Sequence, residues 1–431
     1  MEPTDARRHL DDLSRYLVAS PSPFHAVAES ARRLDDAGFV RLAEDEPWTD
    51  PSGRRYVVRG GALIAWDSSG FDPRAGLRIV GAHTDSPNLR VRPLPDRTSH
   101  GFGQLGVEVY GSPLLNSWLD RDLGLSGRVA LRGPGGPRLV EVAFDEPLLR
   151  IPQLAIHLDR AIGADGLRLD PQRHLVPVWS VGDAPGLRQW LAGRLDVDAT
   201  EVLSWDLMTH DLTPPRVLGV DGSMFAAPRI DNLLSCHAAV CALIDRSSGG
   251  RALPIVALFD HEEVGSVSAA GAAGDFLVGT IERLLSAADL GLEERRVALA
   301  RSVCLSADGA HATHPNWPER HEPDHLVLLD GGPVLKSNAM ARYATDALGA
   351  ALVMDLAAGL GIGLQHFVSR NDMPCGSTIG PVTATRLGVT TVDVGVAQLS
   401  MHSARELTGV LDPHRFRMLL GAFLGDDSDL R

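Results

Sequence analysis

The most constraining feature of this chain is a set of short apolar runs, each stopping abruptly at a cluster of polar and acidic residues. Residues 77–80 lead into Gly81-Ala82-His83-Thr84-Asp85, residues 255–259 into Asp260-His261-Glu262-Glu263, and residues 303–305 into Ser306-Ala307-Asp308. Runs of four to eight apolar residues bounded by polar clusters read as buried strands. Further runs at 364–368 and 389–394 repeat the pattern, and helical spacing fills 232–245 and 341–360 between them. Strands alternating with helices predict an α/β fold, an open mixed sheet flanked by helices. In such sheets ligands bind beyond the carboxyl ends of the strands, where these polar clusters fall.

Two helical patterns precede the first strand, one carrying Leu10, Leu13 and Leu17 and one spanning 24–38 before a glycine stop. Residues 91–220 have another texture, rich in Gly and Pro with short β-like runs at 107–110 and 138–144. This predicts a catalytic domain made of 1–91 and 221–431, interrupted by a β-rich insertion at 92–220.

Charge and cysteine usage narrow the function classes. With 41 Lys and Arg against 55 Asp and Glu, the net charge is −14 and is spread along the chain, which argues against a nucleic-acid partner. The four cysteines form no Cys-x-x-Cys pair and are too few for a disulfide scaffold. No apolar run approaches the roughly 18 residues of a membrane span. The expectation is a cytoplasmic protein with no membrane association.

The polar clusters carry residue types that can ligate a metal, although Asp308 and His402 taken separately are more often structural. In His83-Thr84-Asp85 the imidazole can bind a divalent ion while the carboxylate orients the ring, although an isolated His-x-Asp is more often a turn. Asp231, at the start of a helical pattern, could cap that helix or bridge two cations. Glu262 and Glu263 are costly to place together unless a cation offsets their repulsion, and they permit one to bind metal while the other accepts a proton. Asp308 follows a strand and His402 lies in a loop after the last one. Together His83, Asp231, Glu263, Asp308 and His402 supply two imidazoles and three carboxylates, which suits two zinc-like ions sharing a bridging carboxylate. Such a pair polarises a carbonyl and acidifies a water, the chemistry of amide hydrolysis.

At these residues the sequence resembles the aspartyl aminopeptidases, the M18 family of zinc aminopeptidases. The matching segments are Gly81-Ala82-His83-Thr84-Asp85-Ser86-Pro87, Pro228-Arg229-Ile230-Asp231-Asn232-Leu233 and Phe259-Asp260-His261-Glu262-Glu263-Val264-Gly265-Ser266. They continue with the segments beginning at Ser306 and Arg370 and with Met401-His402-Ser403-Ala404-Arg405-Glu406. The resemblance implies a phosphorylase/hydrolase-like fold in which one metal takes His83 and Asp308, the other takes Glu263 and His402, and Asp231 bridges both. It also implies Glu262 as general base, with Asp85 orienting His83. The ions would be zinc, with cobalt or manganese also suited to these ligands.

The insertion resembles the family's dimerisation domain, and His157 matches a histidine that reaches a neighbouring subunit's active site. The implied assembly is a homo-oligomer, a tetrahedral dodecamer built from dimers. The implied substrates are peptides with an acidic N-terminal residue, recognised through Lys336, with Tyr343, Ser377 and Thr378 lining the pocket. His261 stands where many relatives have Asn and is expected to support the site rather than bind metal. A related dinuclear aminopeptidase of broader specificity, or a catalytically silent assembly protein, are the competing readings.

Overall fold

Along the strand Leu77–His83 the side chains alternate between two apolar layers, because successive residues of a strand point to opposite faces. The computed structural model describes residues 3–72, 75–246 and 250–428. Val80 and Ala82, with Val256, Leu258 and Leu305, pack on one face against Leu13, Leu17, Leu233, Val240, Phe416 and Leu420. Leu77, Ile79, Ile255, Ala257 and Phe259 pack on the other against Phe276, Ile281, Leu285 and Ile379. Both faces of these strands are therefore buried, which explains their unbroken apolar runs.

The helices follow from their own sequences. Pro3–Ala19 and Pro23–Asp36 cover the first face, the second opening on Ser22, whose hydroxyl accepts from the His25 N–H. Ile230–Ile244, Ala347–Leu360 and Asp412–Leu424 pack on that face too, while Phe276–Ala287 and Ile379–Leu387 cover the other. The chain thus has the mixed α/β fold, with helices on both faces, that the alternating pattern predicts. Among the described residues no helix is long and apolar enough to cross a membrane.

By its internal contacts the chain divides into two compact units, one of residues 1–85, 215–401 and 406–431, the other of 86–214 and 402–405. The described residues of the first unit hold a nine-stranded sheet, ordered Val40–Arg41, Arg54–Arg59, Ala62–Asp67, Leu253–Phe259, Leu77–His83, Val303–Ala307, Thr390–Gly395, Val334–Ser337, Gln365–Val368. Its central four strands, from Leu253–Phe259 to Thr390–Gly395, run parallel. Phe259 pairs with His83 and Ser306 with Gly81, so the polar clusters that follow them emerge at one edge. A smaller five-stranded sheet, which includes Met224–Ala227 and Glu406–Gly409, belongs to the same unit.

The second unit is built on a six-stranded antiparallel sheet in the order Arg138–Leu149, Leu123–Leu131, Val202–Asp211, Asn88–Ser99, Phe102–Tyr110, Val178–Val181. Its core joins Leu89, Leu105, Leu125 and Leu207 to Leu187 and Leu191 of the helix Leu187–Leu195.

Candidate active site

His83 ends its strand fully enclosed, and three carboxylates surround its ring. Its Nε2 lies 3.3 Å from Asp231 Oδ1 and 3.5 Å from Asp308 Oδ1, and its Nδ1 lies 3.4 Å from Asp85 Oδ1 and 3.0 Å from the Asp85 carbonyl. Burial opposes a charge on the ring, but hydrogen bonds to Asp231, Asp308 and Asp85 outweigh it and raise the pKa well above the ordinary value.

Each carboxylate is delivered by a different piece of chain. Asp231 sits within Ile230–Ile244 but outside helical geometry, with φ −79° and ψ 106°, and its N–H donates to Glu406 Oε2 at 2.9 Å. Asp308 follows Val303–Ala307 and donates its N–H to the Val394 carbonyl at 2.9 Å. Here the chain needs glycine at 395, since a Cβ there would stand 1.8 Å from the Asp308 carbonyl oxygen.

The Glu262–Val264 turn follows Leu253–Phe259 through His261, which adopts φ 63°. The Asp85 carboxylate accepts the N–H of Glu262 and of Glu263, each at 3.1 Å. His261 Nδ1 lies 2.9 Å from Ser268 Oγ, a contact that turns this ring toward its own loop. Donor atoms of His83, Asp231 and Glu263 lie within 4.8 Å of one another.

The electrostatics fit a cation. Burial pushes the Glu262 carboxyl up to about 8, with His83 opposing and the charges of Asp308, Asp85 and Asp231 adding to the rise. Burial likewise raises Glu263 well above the carboxylate range, helped by Asp231. So many acids around one imidazole leave an excess of negative charge that a divalent ion would offset, and imidazole plus carboxylate oxygen is a zinc-compatible donor set.

Lys336 is enclosed, 1 % exposed, with Nζ donating to the Gly309 carbonyl at 3.0 Å and lying 3.8 Å from Asp308 Oδ2. Burial works to raise the Asp308 pKa, but Lys336 and His83 more than reverse this and hold it well below the carboxylate range. The Tyr343 ring lies 5.0 Å from the same ammonium, and burial raises its phenol. Ser377 is exposed and donates to the Arg342 carbonyl at 3.2 Å. Thr378 is buried, caps Ile379–Leu387 and meets Asp393 Oδ1.

The first unit therefore brings together His83, Asp85, Asp231, Glu262, Glu263, Asp308 and Lys336. His157 and His402 belong to the second unit. His157 is exposed on the turn Ile156–Leu158, and His402 has Nδ1 3.2 Å from the Ser112 carbonyl. Three residues carry no role in the sequence reading: Glu406, Asn232, whose amide donates to the Ala307 carbonyl at 2.7 Å, and Asp393, fully buried in the strand Thr390–Gly395. An acid between Val392 and Val394 of a buried strand was the available signal for Asp393.

The chain is similar to known proteins along nearly its whole length. A family profile described as Aminopeptidase I zinc metalloprotease (M18) matches residues 16–424. A protein of Streptomyces coelicolor named Probable M18 family aminopeptidase 2 is 53% identical over 425 residues, covering 97% of this chain and 98% of that protein. Among solved structures, one described as the Ape4 and Nbr1 complex superposes with a TM-score of 0.93 at 34% identity, over 98% of this chain and 86% of the other. The S. cerevesiae mApe1 dodecamer gives 0.83 at 30% identity, over 96% and 95%.

Proposed function

Because the chain belongs to the M18 family of zinc aminopeptidases, we propose that it is a dinuclear enzyme releasing single acidic residues from peptide N-termini. The observation that carries this reading is the convergence of His83, Asp231 and Glu263 donors within 4.8 Å, beside Asp308 and Glu262. In this reading His83 and Asp308 would hold one ion, Glu263 and His402 would hold the other, and Asp231 would serve both. Zinc is the assigned metal, with cobalt or manganese as substitutes the same donors accept. When bound, the ions supply Lewis acidity toward the scissile carbonyl and acidify the attacking water.

The protein's own groups do the rest. Glu262 takes a proton from the attacking water and returns it to the leaving amine. Asp85 holds the Glu262 turn through the main chain and faces His83 Nδ1, which keeps Nε2 aimed at the ligand set. Lys336 provides the positive field that an acidic side chain requires, with Tyr343, Ser377 and Thr378 along the pocket.

The second unit serves dimerisation, and His157 acts in a neighbouring subunit's site, stabilising charge that develops on the carbonyl oxygen. Leu154, Ile156 and Leu158 around it are all more than half exposed, as a segment awaiting a partner would be. The proposed assembly is a tetrahedral dodecamer, and the S. cerevesiae relative is described as a dodecamer.

Hydrolysis of aminoacyl substrates carrying Asp, Glu, Leu, Lys or Ala, with a chelated control, tests the reading. Cleavage confined to Asp and Glu and lost on chelation is expected. Preference for Leu or Ala would remove Lys336 from its role, and no cleavage at all would favour a silent assembly protein.

A further inference from the structure

A second cluster of metal-binding side chains lies within the helical layer of the first unit. His237 and Cys241 stand one turn apart on Ile230–Ile244, so both project from the same helix face. Asp12 reaches them from Pro3–Ala19. His237 Nε2 lies 2.8 Å from Asp12 Oδ2 and 3.5 Å from Cys241 Sγ, and donor atoms of the three residues fall within 4.8 Å of one another. His237 is fully buried, whereas Asp12 and Cys241 are half-buried and give a route from solvent.

A Cys, His and Asp in contact could suggest a nucleophile and its proton relay. That arrangement requires the acid on one ring nitrogen and the thiol on the other. Here both meet the same nitrogen, Nε2, while Nδ1 of His237 is buried without a hydrogen-bond partner. Three unlike donors converging on one point are the makings of a chelate. His9 and His414 extend the neighbourhood, with ring centroids 4.8 Å from His237 to His9 and 5.6 Å from His9 to His414. His9 Nε2 and His414 Nδ1 are also buried and unpartnered.

We propose that Asp12, His237 and Cys241 form a binding site for a zinc-class divalent cation, separate from the catalytic cluster, that ties helix Pro3–Ala19 to helix Ile230–Ile244. Tetrahedral zinc bonds of about 2.0 Å to nitrogen or oxygen and about 2.3 Å to sulfur set ligand atoms roughly 3.3–3.6 Å apart. The Cys241–His237 separation already matches, and the Asp12–His237 contact opens by about half an ångström to match it. The sulfur and imidazole select zinc or cadmium over magnesium or calcium.

Binding displaces the thiol proton and the proton between His237 Nε2 and Asp12, both to solvent, with no change of oxidation state. Arg33 and Arg15 face Asp12, at 2.6 Å and 3.0 Å, and oppose the incoming charge. Arg33 keeps Glu29 as a partner at 2.7 Å when Asp12 turns to the ion. Of the remaining thiols, Cys236 and Cys304 are buried, and the half-buried Cys375 serves as the control.

The test is cadmium titration of the full-length protein and of its Cys241→Ser and Cys375→Ser variants, reading bound metal and sulfur-to-cadmium charge-transfer absorption. Wild type and Cys375→Ser are expected to retain one equivalent more than Cys241→Ser, which alone lacks the absorption band and keeps wild-type peptidase turnover. Equal metal content and equal absorption in all three overturn the proposal. Should Cys241→Ser fail to fold, anomalous diffraction from cadmium-soaked wild-type crystals decides instead: a peak enclosed by Asp12, His237 and Cys241 supports the site, and peaks confined to the His83 cluster overturn it.

Discussion

The carboxylate of Asp85 accepts the main-chain N–H of Glu262 at 3.1 Å, while the same side chain faces His83 Nδ1 at 3.4 Å. One acid thus couples a proposed metal ligand to the turn that carries the proposed base. In Asp85→Asn one of the two N–H groups of Glu262 and Glu263 would meet an amide N–H instead of an oxygen. Metal affinity should fall about 10–100-fold, measured by competition with a chelator of known affinity. Unchanged affinity and turnover would remove Asp85 from the positioning of either group.

Glu262→Gln should keep wild-type metal content and lose about 10²–10⁴-fold in kcat. Metal analysis and steady-state kinetics on the same preparation check this. Full activity with metal retained would end the assignment of Glu262 as base.

Lys336→Met tests charge at the pocket. The substitution leaves buried Asp308 and Asp393 without the neighbouring ammonium, and breaking a buried pair in this way costs about 3–5 kcal/mol. Chemical denaturation reads the stability loss. The ratio of kcat/KM for N-terminal Asp over Ala reads the specificity, and a ratio equal to wild type would leave Lys336 a structural role alone.

Gly395→Ala should displace the Asp308 main chain, because the new Cβ would sit 1.8 Å from its carbonyl oxygen. Asp308 faces both His83 and Lys336, so metal retention should suffer along with stability. A variant with wild-type melting temperature and metal content would contradict the packing described.

Asp412 gives the protein a pH dependence of known sign. Burial pushes its carboxyl up to about 7, against the pull of the Gly332 N–H and with the Asp330 charge adding to the rise. Between the ordinary carboxylate range and 7 the folded chain holds a proton that the unfolded chain has released, so this group's contribution falls as pH rises. Asp412→Asn should therefore gain stability relative to wild type across that window, by at most about 1.4 kcal/mol per pH unit. The gain should level off above pH 7. Parallel denaturation midpoints from pH 4.5 to 7.5, bracketing that value, would refute it.

The sequence by itself determined the elements and the chemical character of the edge where they end. Buried strands such as Leu253–Phe259 carry their identity in a local apolar run, and the acids after them mark where the run meets a polar site. That information is local, so it survives in one dimension. What the tertiary structure alone decided were contacts between residues far apart in the chain. Asp231 meets Glu406, Lys336 turns its ammonium on Asp308, and Asp12 reaches His237 across 225 positions. Asp231 shows the difference most directly, since its sequence context allowed either a helix cap or a ligand, and packing sets it beside His83 and Glu263, whose donor atoms together could hold a metal ion. Side-chain types announce what a group can do; only packing, which sets distance and excludes water, decides what it faces and which charge it holds.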